Sequence, residues 1–221
     1  MTDLAPPRPL KAVVFDMDGL LLETEHGWTL AETELFGRYG KPFGLEEKRA
    51  LLGNAGDALA RILERMLEQP GRGRELGDEV LALVIGEVQR DGAHPMPGAA
   101  ELVAELRGRA GLGVASNSPR ALVDLALGAS GLGDSWGAVV CGDDVAHLKP
   151  APDIYLEACR RLGAGPHETV AFEDSPTGVA SARAAGLYVV GIPSVAGVTL
   201  EADLVAGSLA DDEVRRAVGL S

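Results

Sequence analysis

Six short apolar runs, most of them rich in β-branched residues, are strung along the chain: Lys11–Phe15, Leu112–Ser116, Ala138–Cys141, Thr169–Phe172, Leu187–Ile192 and Asp203–Val205. Short runs of this kind read as strands buried on both faces of a parallel sheet. Between most of them lie stretches with helical spacing of apolar residues. Gly98–Arg107 carries Leu102, Val103 and Leu106, and Ala121–Leu127, Ile154–Leu162 and Gly178–Ala185 behave similarly. Strands alternating with helices predict βαβ units and a doubly wound α/β fold.

Residues 23–93 break the alternation and read as helices only. Ala58–Gln69 puts Leu59, Ile62, Leu63, Met66 and Leu67 on one stripe, and Glu75–Gln89 puts Leu76, Val80, Leu83 and Val84 on another. Gln69–Gly73, which contains Pro70 and Gly71, is a turn between them. A segment this long cannot be a connecting loop, since structureless loops beyond roughly 15 residues are uncommon in compact domains. The expectation is an inserted all-helical cap at 23–93. A discontinuous core would be made of 1–22 and 94–221, with Gly92–Gly98 returning the chain to it.

Composition narrows the function. The formal net charge is −13, which argues against nucleic-acid binding and against docking on anionic membranes. An anionic substrate is still admissible, because a metal ion and a few local cations reverse the field inside a cleft. No apolar stretch approaches the ~20 residues needed to cross a bilayer. The segment 2–9 is polar and Pro-rich, unlike a signal peptide. Cys141 and Cys159 have no zinc-type spacing and are expected as reduced thiols. The reading is a cytoplasmic monomer acting on a small molecule.

Four polar clusters fall at the ends of expected strands, where ligands of open parallel sheets bind. In Asp16-Met17-Asp18-Gly19, two carboxylates two residues apart can divide nucleophilic and acid–base work, and Gly19 lets the chain turn away. In Ala115-Ser116-Asn117-Ser118, a hydroxyl and backbone N–H groups can hold phosphate oxygens. In Lys149-Pro150-Ala151-Pro152-Asp153, two prolines stiffen the chain behind a lysine. In Phe172-Glu173-Asp174-Ser175, adjacent acids can complete a hard-cation site. Each cluster alone has a plainer reading as a turn, a helix cap or a surface lysine.

Together and in this order, the four clusters resemble the motifs of the haloacid dehalogenase-like hydrolase superfamily. The phosphatase and β-phosphoglucomutase branch, with its Rossmann-like core and helical cap, is the nearest pattern. The resemblance runs over nearly the whole chain, from Phe15–Glu25 through Phe172–Gly178. It implies Mg²⁺ as cofactor and a phosphorylated small metabolite as partner. Asp16 would be the nucleophile that becomes phosphoaspartate, and Asp18 the acid and base. Ser116 and Lys149 would complete the catalytic set, with Gly19 and Asn117 beside them at the phosphoryl group. Asp16, Asp18 through its carbonyl, and Asp174 would hold the metal, with Glu173 behind them. The second aspartate separates the chain from dehalogenases, which lack it.

The mutases of this branch carry a cap arginine after a Leu-x-Gly-type turn and a histidine after the first motif. Here Leu51–Asp57 has no arginine and Trp28 stands in place of the histidine, while Thr24 and Glu25 fit. The expected function is therefore an Mg²⁺-dependent phosphatase of a sugar phosphate or similar monoester, with a sugar-phosphate mutase as the alternative. Glu25, His26, Trp28 and Asn54 are candidates to face the substrate, each with an equally good structural reading. His94, His147 and His167 read as surface or linker residues.

Overall fold

The computed structural model describes residues 5–132 and 134–220, so residues 2–4 of the polar N-terminal segment lie outside them. The centre of the molecule is a six-stranded parallel sheet. Its strands are β1 (Ala12–Phe15), β4 (Gly111–Ala115), β5 (Ala138–Val140), β6 (Thr169–Glu173), β7 (Tyr188–Gly191) and β8 (Leu204–Val205). Their spatial order is β5-β4-β1-β6-β7-β8. All six expected strands are present, each within about two residues of the predicted bounds, the scatter normal for element ends.

The chain winds outward through β4 and β5, then crosses back over β1 to build the other half. Strand order therefore reverses at β1, which pairs with β4 and β6 in register, Phe15 lying beside both Val114 and Phe172. β1 is buried along its whole length. Its side chains alternate between two cores, as the pleat requires. Val13 and Phe15 join α5 (Ala99–Leu106), α6 (Arg120–Ala129) and α9 (Asp212–Ala217) on one face. Val14 joins α7 (Asp153–Leu162) and α8 (Pro176–Ala184) on the other. The Phe15 and Phe172 rings stack at 5.1 Å beneath the strand ends. Helices on both faces of a parallel sheet make this a doubly wound α/β fold.

Between β1 and α5 the chain makes four helices, α1 (Glu25–Arg38), α2 (Leu45–Leu51), α3 (Gly56–Leu67) and α4 (Gly73–Asp91). Leu63 and Leu67 of α3 and Leu76, Val80, Val84 and Val88 of α4 are buried between them. α1 buries Ala31, Leu35 and Phe36, and with them a glutamate, Glu32. The sequence reading missed a two-stranded antiparallel ribbon, β2 (Leu22–Glu23) with β3 (His94–Pro95). Two residues per strand are too few to show an alternation. The ribbon places the exit to the helices beside the return from them. Cys141 and Cys159 are free and buried. No helix among the described residues is long and apolar enough to cross a membrane.

Candidate active site

The four polar clusters converge at the carboxyl ends of β1, β4 and β6, under the helical segment. They line a cleft of about 520 Å³ with residues of α1–α4.

Lys149 organises the floor. Its ammonium donates to Asp16 Oδ1 at 2.5 Å, to Glu173 Oε1 at 2.6 Å and to the Ala115 carbonyl at 2.9 Å. All three protons are used, one on the tip of each central strand. Asn117 Oδ1 accepts from the Lys149 backbone N–H at 2.9 Å, and Asn117 Nδ2 donates to the Gly53 carbonyl at 3.3 Å. That side chain fixes the lysine loop and touches the helical segment. Burial alone would lower the Lys149 pKa, but Asp16 and Glu173 hold it above its ordinary value.

Asp16 is 8% exposed. Burial pushes its carboxyl well up, and Lys149 pulls against that. Burial does the same to Asp174, with Asp16 and Glu173 adding to it. Ser194, in the loop after β7, donates to Asp174 Oδ2 at 2.5 Å. Glu173 turns away from the cleft. Its Oε1 also receives the Tyr155 hydroxyl at 2.5 Å, and Ser175 reaches Oε2 at 3.4 Å. Gly19, at φ +76°, is held in the left-handed region. A Cβ there would stand 2.7 Å from Asp174 Oδ2 and 2.8 Å from Glu25 Cγ, so only glycine lets these approach.

Asp18 is ringed by donors. Thr24 Oγ1 (2.7 Å) and Trp28 Nε1 (3.3 Å) reach Oδ1, and Ser116 Oγ (3.2 Å) and Ser118 Oγ (2.9 Å) reach Oδ2. The ring joins the helical segment to the core. Among the described residues, the N–H groups of Met17, Asp18 and Asn117 have no acceptor. Free N–H groups beside a hydroxyl form a cradle suited to an anion.

The same cluster fits a divalent cation. Carboxylate oxygens of Asp16, Glu173 and Asp174 lie within 4.8 Å of one another. Three acids against one lysine leave buried negative charge uncompensated. Among the described residues, Asp16 Oδ2, Asp174 Oδ1 and the Asp18 carbonyl accept no hydrogen bond. An all-oxygen donor set of this kind suits Mg²⁺, and Glu173, with its oxygens already engaged, serves the lysine instead.

Of the helical-segment candidates, Glu25, Trp28 and Asn54 line the cleft. Asn54 turns its amide back to the Ala50 and Leu52 carbonyls, closing the end of α2. His26 is exposed and does not line the cleft, and His94, His147 and His167 are exposed. The sequence reading passed over Tyr155, Ser194, Glu32 and Lys48. Ser194 follows β7, so one more strand end in the chain offered a signal. Tyr155 sits mid-helix, where nothing in the sequence distinguishes it from core.

A carboxylate with one oxygen left unclaimed, a fully engaged lysine, an anion cradle and a hard-cation donor set at a topological switch point are the parts that phosphoryl transfer calls for. A family profile described as haloacid dehalogenase-like hydrolase matches residues 10–186, and the chain belongs to that family and is a hydrolase. It is 36% identical over 195 residues to Protein CbbY of Rhodobacter capsulatus, covering 84% of this chain and 86% of that one. It is 32% identical over 184 residues to the fructose-1-phosphate phosphatase YqaB of Escherichia coli K12, covering 81% and 95%. The crystal structure of CbbY from Rhodobacter sphaeroides in complex with phosphate superposes with a TM-score of 0.78 at 29% identity, over 91% of this chain and 96% of that one.

Proposed function

We propose that this chain is an Mg²⁺-dependent phosphatase of a small sugar or polyol phosphate, working through a phosphoaspartate on Asp16. The observation that carries the reading is the state of Asp16. Lys149 holds Oδ1, while Oδ2 is unclaimed at the mouth of a cradle of unpaired N–H groups. The likeness to a fructose-1-phosphate phosphatase and to a phosphate-bound CbbY agrees with it.

In the first step an Asp16 oxygen attacks phosphorus and the ester P–O bond breaks. Asp18 gives its proton to the leaving alkoxide. In the second step water attacks the phosphoaspartate and loses its proton to Asp18. Inorganic phosphate leaves and Asp16 is restored. Ser116 and the N–H groups of Met17, Asp18 and Asn117 receive the phosphoryl oxygens, with Gly19 allowing the turn. Lys149 offsets the charge that builds on Asp16 and the phosphoryl group. Asp16, Asp174 and the Asp18 carbonyl would hold Mg²⁺, which supplies further charge neutralisation on the phosphoryl oxygens. Residues 23–93 act as a cap on a core of 1–22 and 94–221, and keep Asp18 in place through Thr24 and Trp28.

The test is an assay with Mg²⁺ over a panel of phosphate esters including β-glucose 1-phosphate, following both free phosphate and isomerised sugar. Free phosphate should appear, and Asp16→Asn should reduce it by at least about 10³-fold. Isomer without free phosphate would replace this reading with a mutase.

A further inference from the structure

The cap side of the cleft is walled by α1 and α2, and the wall contains charges where a helical bundle ordinarily places apolar residues. Glu32 lies on the inward stripe of α1 and is 5% exposed, and Lys48 on α2 is 7% exposed. Lys48 Nζ stands 3.0 Å from Glu32 Oε2 and 2.8 Å from Glu25 Oε2. One ammonium therefore answers two carboxylates, and all three residues line the cleft that holds Asp16 and Asp18. Glu25 Oε2 is buried and, that ion pair apart, makes no hydrogen bond. No described group donates to Glu25 Oε1, and the side chain keeps 18% of its surface. Further out, Asp57 and Asp78, and Arg74 of α4, also line the cleft. The cap side thus sets four carboxylates against two cations.

A second phosphate on the substrate would need an uncompensated cation in this wall. Lys48 does not supply one, because both carboxylates already claim its charge. Burial raises the Glu32 carboxyl to about 7, with Lys48 opposing, so Glu32 is partly ionised near neutrality. Glu25 still faces the ammonium when Glu32 is protonated. A hydroxyl meets a different wall: it can donate to the Glu25 carboxylate and accept from Lys48.

We infer that Glu32, by sharing Lys48 with Glu25, makes this wall a hydroxyl-binding surface that admits an uncharged polyhydroxyl tail and rejects a second phosphate. The inference rests on the phosphatase reading and extends it to a substrate class, monophosphorylated sugars or polyols rather than bisphosphates. Glu32 is a positioning residue, acting through the charge it withdraws from Lys48.

The experiment compares matched pairs in the full chain with Mg²⁺: fructose 1-phosphate with fructose 1,6-bisphosphate, and ribulose 5-phosphate with ribulose 1,5-bisphosphate. The wild-type kcat/KM should favour the monophosphate by about tenfold or more. Glu32→Gln should shrink that ratio by about tenfold, through a lower KM for the bisphosphate rather than a changed kcat. The ratio is independent of how much variant folds. Wild-type inhibition supplies a measurement without any variant: the bisphosphate should inhibit monophosphate turnover with a Ki about tenfold above the monophosphate KM. Equal or better turnover of the bisphosphate, an unchanged ratio in E32Q, or a Ki at or below that KM overturns the proposal. The phosphatase reading fails separately, if neither these esters nor para-nitrophenyl phosphate, which has no polyol tail, releases phosphate in an Asp16-dependent way.

Discussion

Single residues in this site are placed by hydrogen bonds that cross between strand ends, and Glu173 shows how much one of them does. It does not face the cation position that its sequence neighbour Asp174 suggests. It receives Lys149 and Tyr155 on one oxygen and fixes the lysine against Asp16. Tyr155→Phe removes one donor from this buried acceptor. Urea unfolding should show a loss of about 1–2 kcal/mol, with Asp16-dependent turnover falling less than tenfold. A stability unchanged from wild type would mean that the Tyr155 bond contributes nothing net. The acids and Ser116 were legible because they sit directly after buried runs that name their own strand ends, and Lys149 because two prolines, Pro150 and Pro152, stiffen the chain behind it. Tyr155 and Ser194 were not, because their roles depend on which strands become neighbours.

At the scale of elements, the turn between α2 and α3 is where the helical segment rests on the sheet. Gly53, at φ +70°, gives its carbonyl to Asn117, and a Cβ there would stand 2.7 Å from Ser175 Oγ. Arg49 on α2 donates to the Ala196 carbonyl at 3.0 Å through Nε, in the loop that also carries Ser194. Gly53→Ala should cost about 1 kcal/mol in thermal or urea melts, since the positive φ is lost with the space. It should lower kcat/KM by about tenfold, because a displaced turn loosens the ring of donors around Asp18. Unchanged kinetics would show that the turn's seating does not matter to the chemistry. The six strands of the parallel sheet and the helices α3 to α8 were legible from their spacing. α1 was not delimited, because its inward stripe includes a glutamate that only Lys48, on another helix, makes tolerable.

For the whole molecule, the unbalanced acids should leave a mark on pH dependence. The unfolded Glu32 carboxyl titrates near the ordinary 4.5, and the folded one near 7. Between these values the folded state holds the extra proton, so this group's contribution to stability falls as pH rises from about 4.5 to about 7. In Glu32→Gln that part of the slope should vanish, on the order of 3 kcal/mol in the difference between the two unfolding profiles across the window. Parallel profiles would mean that Glu32 titrates alike in the folded and unfolded states. The overall architecture was legible because alternating runs admit one class of sheet, and the long helical interruption stood out against them. What the spacing could not convey is how the interruption is tied in. The β2–β3 ribbon sets the exit at Leu22–Glu23 against the return at His94–Pro95, so both crossings occupy one small patch. In topological terms the helical segment is a parenthesis in the chain. It can be lengthened or exchanged without rethreading any strand of the sheet, and a recombination with both breakpoints near those four codons would leave the strand-tip chemistry intact while giving it a different lid.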